Sequence, residues 1–239
     1  MPGPLASLAT ALILLGAAVQ ADRDPNNPTC PRAPNWSAKP EMDFTFREIE
    51  GNLILVAEGQ IGPNTPDRLR TALKQREPFE IWLRSSGGDA RAGNAAGRII
   101  RDLRYNTRIP AGWACFSACN FMFMGGDMRF VEPGGLFIVH MFTHTADRKA
   151  IESQVLRGTE STVGLIGDIE QDSALLASED NDFLIRMGVS RKLLTEVMYQ
   201  QKAVGAGATR RCLTQEEVLQ YNVATAKWVD PAPGARKTP

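Results

Sequence analysis

The sequence is poor in side chains that hold metals or titrate near neutrality. In 239 residues there are two histidines, His140 and His144, and four cysteines, Cys30, Cys115, Cys119 and Cys212. Only Cys115 and Cys119 lie close in sequence, and no second pair or histidine cluster completes a zinc site. Net charge is missing too: 27 basic and 27 acidic side chains cancel. That removes the electrostatic reason to expect nucleic acid as a partner. There is no phosphate loop or dinucleotide fingerprint, so no cofactor is expected; Gly93-x-x-x-Gly97 falls inside a helical pattern and reads as close packing. No segment repeats.

Long apolar runs are also scarce. Leu5–Val19, 15 residues, is short for a membrane span and suits the apolar region of an export signal. Val19-x-Ala21 fits the small-residue cleavage rule, although Met1–Pro4 carries no Lys or Arg. The expected division is a signal peptide over 1–21, an extended Pro-rich leader over 22–43, one domain over 44–230 and a polar tail over 231–239. No membrane span is expected to remain after cleavage, and the mature chain is expected in the periplasm or secreted. Asn35-Trp36-Ser37 matches a glycosylation acceptor.

What is present begins with 43 % hydrophobic content, enough for one globular core. Export with an even cysteine count reads as two disulfides, for which three connectivities exist. The favoured pairing is Cys115–Cys119 with Cys30–Cys212. The first would clamp the turn around Ser117; the second would close a loop of about 180 residues, worth about 5 kcal/mol in the chain-entropy model. Free buried thiols are the alternative.

Strand patterns at Phe44–Ile49 and Leu53–Ala57, joined by Glu50-Gly51-Asn52, read as a hairpin. A helix opens at Thr65-Pro66-Asp67 with Leu69, Ala72 and Leu73 inward. Phe79–Leu83 is a strand running into Ser85-Ser86-Gly87-Gly88-Asp89, and a helix follows from Ala90 to about Tyr105. Further strands are expected at Ile109–Ala114, Met128–Val131, Leu136–Met141 and Val223–Val229. A long helical segment covers Arg148–Met187, where Gly158, Gly164 and Gly167 are expected breaks. Arg191–Gln201 reads as a helix, Val204–Ala208 as a loop, and Thr214-Gln215-Glu216-Glu217 as a capping box. The alternation argues α/β.

The chain is organised around Gly112–His140. Ser117 stands between an apolar extended segment and a buried helix, Ala118–Met124, and the first amides of a helix have no intrahelical partner. His140 lies 23 residues later at the end of another apolar strand. Nucleophile, base and oxyanion donors could thus meet at one sheet edge. The plainer alternative is a serine helix cap and a core histidine. His144 sits in a polar loop.

Ser-Ser-Gly-Gly-Asp after a strand, then strand, Ser117, buried helix, Gly125-Gly126, short strand and a strand ending in His140 resembles the ClpP/crotonase superfold. Within it the pattern is similar to exported ClpP-like serine peptidases with a Cys-x-Ser-Ala-Cys segment, here Cys115 to Cys119. The resemblance covers about Leu53–Val229. It implies a spiral of βαβ units with a long helical segment after the catalytic strand. It implies Ser117 as nucleophile, His140 as general base, and an oxyanion hole at Gly87, Gly88 and Ala118. It implies a peptide or protein substrate and homo-oligomers; Arg148–Met187, richer in apolar positions than a solvated helix needs, is the expected interface. The family's acid precedes a Leu-Ser/Thr pair, but here Thr209-Arg210-Arg211-Cys212 precedes Leu213-Thr214. A cation cannot orient an imidazole, so Asp168, Asp172 or Asp89 must serve, or His140 works in a dyad. Two rivals remain: a non-catalytic binding or assembly module of this fold, and crotonase-type acyl-CoA chemistry.

Overall fold

Residues 23–141, 148–196, 199 and 210–229 are described by a computed structural model. The expected signal segment, His144, the 204–208 loop, the end of the 191–201 helix and the tail after 230 lie outside them. The leader is not merely extended. It forms an antiparallel pair, β1 (Arg23–Asp24) with β2 (Asn27–Pro31), and Cys30 is fully buried. The pairings expected for the cysteines are the ones formed: Cys30–Cys212 at a Cα–Cα distance of 5.1 Å and Cys115–Cys119 at 5.4 Å.

β3 (Asp43–Ile49) and β4 (Asn52–Glu58) make a hairpin whose two-residue loop, Glu50-Gly51, has both φ angles positive. Such a turn matches the twist of the strands it joins. α1 (Thr65–Gln75) buries Leu69, Ala72 and Leu73 as expected; the Thr65 hydroxyl accepts from the Gly62 amide instead of capping the helix. β5 (Glu80–Arg84) runs parallel to β4, and α2 (Ala90–Asp102) returns the chain to β6 (Asn106–Ile109), parallel to β5. A βαβ spiral results.

The expected strand over Ile109–Ala114 is instead two strands in two sheets. Pro110 lacks an N–H and Gly112 takes φ +76°, so the chain turns. β7 (Ala114–Phe116) emerges in a second layer, followed by α3 (Cys119–Met124). β8 (Arg129–Val131) rejoins the first sheet beside β6, and β9 (Leu136–Val139) lies parallel to β7. α4 (Arg148–Leu156) and α5 (Thr159–Met187) are divided at Gly158, φ +108°, whereas Gly164 and Gly167 are absorbed within α5. β10 (Arg211–Cys212) pairs with β9, and α6 (Gln215–Gln220) opens on the expected Thr214/Glu217 capping box.

The first sheet runs β3-β4-β5-β6-β8 and the second β10-β9-β7. They meet at a parallel bridge between Ser85 and Cys115. Gly93 and Gly97 let α2 touch α3: a Cβ on either would stand 2.5 Å from Ala118 O or 2.3 Å from Phe121 O. Those glycines are packing residues, and they bring the two helices that flank Ser117 together.

Val223–Val229 is not a strand. At its start Arg129, 1 % exposed, takes two carbonyls: Nε donates to Val223 O and Nη2 to the preceding Asn222 O, each at 2.7 Å, with Nη1 on Gly126 O at 3.1 Å. A buried guanidinium satisfied by carbonyls replaces a ladder of amides. Arg129→Leu strands those carbonyls and is expected to cost about 3 kcal/mol or more in urea denaturation, with amide exchange accelerating first in residues 222–225.

Candidate active site

The register of β7 with β9 positions the chemistry. Phe116 pairs with Ile138 in parallel strands, so Ser117 and His140 leave the carboxyl ends of adjacent strands on the same side of the layer. Carboxyl ends of parallel strands are where α/β folds place ligands. Ser117 Oγ lies 2.7 Å from His140 Nε2. The other ring nitrogen, Nδ1, is 2.7 Å from Met141 O. A carbonyl can only accept, so Nδ1 carries the proton in the neutral ring and Nε2 presents a lone pair to the serine hydroxyl. That is the tautomer a general base needs. Burial pushes the imidazole below its ordinary value of 6.5, opposed by the Met141 carbonyl. The Phe116 ring packs against one side of the imidazole, its centroid 4.8 Å away.

Ser117 has φ +58°, a left-handed conformation that costs a non-glycine residue about 1–2 kcal/mol. The Cys115–Cys119 bridge spans it, and helix α3 starts directly after. Gly87, at φ +89°, abuts the turn: a Cβ there would stand 2.6 Å from Phe116 O and 2.7 Å from Ser117 Cβ. Ser85 holds this glycine loop. Its buried hydroxyl donates to Gly59 O at 2.5 Å and accepts from the Gly87 amide at 3.0 Å. The Gly87 N–H is therefore engaged, whereas the Gly88 and Ala118 amides donate to no described group.

No family model and no curated protein matches the sequence. Solved structures do match. A ClpP1 variant from Listeria monocytogenes, 14 % identical, covers 77 % of this chain and 94 % of its own at a TM-score of 0.51. A membrane-bound stomatin-specific protease, 16 % identical, covers 72 % of this chain and 75 % of its own at a TM-score of 0.41. The fold is ClpP-like. At such identities the likeness speaks for fold alone.

Within this ClpP-like frame the acidic candidates do not reach the histidine. Asp168 and Asp172 are exposed on α5, and no hydrogen bond or ion pair joins them to His140 among the described residues. Asp89 caps α2, its Oδ1 accepting from the Ala92 amide at 2.8 Å. The two arginines in the acid's place turn elsewhere. Arg210 pairs with Asp24 at 2.9 Å and lies over the Trp36 ring, and Arg211 pairs with Glu217. Asn35, the glycosylation candidate, is engaged through both amide atoms, with Gly112 O and Arg84.

Sequence reasoning passed over four contributors: Ser85, the Met141 carbonyl, Asn120 and Asp180. Asn120 Nδ2 donates to Ile138 O at 2.7 Å, tying α3 to β9 just before the histidine. Asp180 lines a cleft of about 90 Å³ together with Ser117, His140, Asn120 and the apolar side chains of Leu184 and Leu193. It lies four and seven residues before the buried Leu184 and Met187, one stripe of α5. That spacing was the available signal, hidden in the acidic run Glu179 to Asp182.

Two measurements follow from this geometry. Gly87→Ala is expected to destabilise by several kcal/mol in chemical denaturation, because its Cβ collides with fixed backbone. Gly51→Ala, at φ +77° with nothing within 4 Å, should cost only about 1 kcal/mol. Burial and the neighbouring Glu179 push the Asp180 carboxyl up to about 6 from 3.8. A carboxyl that binds its proton more tightly when folded favours folding in acid, and the benefit fades as pH rises towards 6. Asp180→Asn should therefore melt higher than the parent above pH 6, with the gap closing below pH 4.

Proposed function

We propose that this chain is an exported serine hydrolase of ClpP-like fold, a peptidase acting by acyl transfer. The observation that carries the reading is the 2.7 Å contact between Ser117 Oγ and His140 Nε2, with Nδ1 turned to a carbonyl. Ser117 Oγ attacks the substrate carbonyl as Nε2 takes its proton. The negative oxygen rests on the Gly88 and Ala118 amides, a donor pair of the kind worth about 3 kcal/mol per member. Collapse expels the amine, which leaves with the proton from Nε2, and water repeats the sequence on the acyl-enzyme. Met141 O holds the ring's tautomer but brings no full negative charge to the imidazolium. Asp168 and Asp172 are left without a part, and the catalytic pair is a dyad.

Two disulfides suit an oxidising compartment, which supports export to the periplasm or outside the cell. No helix among the described residues is long and apolar enough to cross a membrane. Val155, Leu156, Val163, Ile166 and Leu175 stand half-exposed or more along α4 and α5, which supports a contact with a second copy there. The acyl-CoA reading is disfavoured by the same compartment. A non-catalytic module is favoured by one observation, the arginines where an acid would stand.

A fluorophosphonate serine label decides between enzyme and module. Labelling of the parent at pH 7.5 should vanish in Ser117→Ala and fall about 10²–10⁴-fold in rate in His140→Ala. Peptide hydrolysis, read as kcat/KM, should lose activity as His140 protonates, with the midpoint of the acid limb below 6.5. No label and no turnover of peptides or esters leaves the module.

A further inference from the structure

The cleft beside Ser117 holds two acceptor atoms that no described group meets. Asn120 is 7 % exposed, and because its Nδ2 faces the Ile138 carbonyl, the amide cannot be turned round; its Oδ1 is buried without a partner. Asp180 Oδ1 is likewise buried without a partner, and the carboxylate forms no ion pair among the described residues. Its neighbour Glu179 is met by Arg91 at 3.6 Å, so the uncompensated charge belongs to Asp180 alone. The rest of the cleft is apolar: Phe121, Met124, Val139, Leu184, Leu193 and Leu194. Buried acceptors are costly unless something donates to them.

We propose that this cleft receives a lysine or arginine side chain of the substrate, with Asp180 as its counter-charge. The inference rests on the peptidase reading above and names that site's substrate class. An apolar stem with a cationic head fits both halves of the cleft and also balances the Asp180 charge, which a neutral donor such as tyrosine or glutamine would leave in place. The methylenes cover Met124 and the leucines while the head reaches the acceptors. Leucine or phenylalanine would cover the walls but seal Asp180 away from water unpaired. Glutamate would add a like charge. The preference acts through binding of the side chain that precedes the attacked carbonyl, because Ser117, His140 and Asp180 line one cleft.

The test uses two peptides that differ only in that residue, lysine against norleucine, which keeps the stem and lacks the ammonium. In the parent, kcat/KM for lysine should exceed that for norleucine by about 10- to 100-fold, the range of one charge-assisted bond. In Asp180→Asn the ratio should fall to near 1, and Asp180→Glu should restore part of it. Thermal melts of all three variants, run as described above for Asp180→Asn, establish that they are folded. Norleucine equal to or better than lysine in the parent overturns the proposal, as does a lysine preference that survives in Asp180→Asn. A binding arm separates the two readings. Ser117→Ala titrated with both peptides should bind lysine the more tightly by a similar factor, whether or not the parent turns over any peptide. Turnover of neither peptide by the parent sinks the peptidase reading, and equal or absent binding of both by Ser117→Ala sinks the cationic cleft.

Discussion

The parallel pairing of β7 with β9 is the constraint on which the rest depends. It takes two segments separated by α3 and β8 and ends them side by side, so that a serine after one strand and a histidine after the other come within hydrogen-bond reach. Neither strand belongs to the main sheet. The second layer is joined to it at Ser85 and Cys115, through the Ser85 amide on Ala114 O and the Phe116 amide on Ser85 O. Ser85 thus does two jobs: its backbone docks one layer on the other, and its hydroxyl shapes the glycine loop that borders Ser117. The seam between two sheets thereby sets a serine beside a histidine.

The strain at Ser117 fits that arrangement. A left-handed serine persists only where its surroundings over-determine it. Here they are a disulfide across the turn, a helix begun directly after it, and a glycine pressed against it that leaves no room for a side chain. The Cys30–Cys212 bridge works at a larger scale. It fastens the leader to β10, and β10 is the strand that covers the other edge of β9. Arg210 reinforces the same join through Asp24 and the Trp36 ring. Arginines standing where an acid was sought therefore serve the leader and α6, while a backbone carbonyl holds the imidazole.

How far the site was legible depends on which atoms carry it. Ser117, His140 and the glycine pair were singled out because each stands at a strand end, and the resemblance to ClpP-like peptidases carried most of the weight; the structure sets Ser117 beside His140 and Gly87 against Ser117. The strand over Ile109–Ala114 was misread because an apolar run carries no sign of which sheet its halves will join; Pro110 and Gly112 marked the turn. Val223–Val229 looked like a strand because it carries Val223, Ala224, Trp228 and Val229, but only Val223 and Ala224 are buried, and the carbonyls of Asn222 and Val223 are committed to Arg129. Asp168 and Asp172 were candidates because they lie on the segment after His140; the structure leaves both exposed on α5, with no hydrogen bond or ion pair to the imidazole among the described residues.

Sequence alone determined the α/β class, most of the central strands and helices, and the two cysteine pairings favoured from placement; the choice of Ser117 and His140 leaned also on the resemblance. The elements follow from local stereochemistry: periodicity and turn residues. Tertiary structure alone decided that Met141 O holds the imidazole, that Asn120 and Asp180 share a cleft with Ser117, and that Arg129 dissolves the final strand. Each of these is a question of where a buried polar atom finds its partner, and packing answers it across dozens of residues where no local pattern reaches.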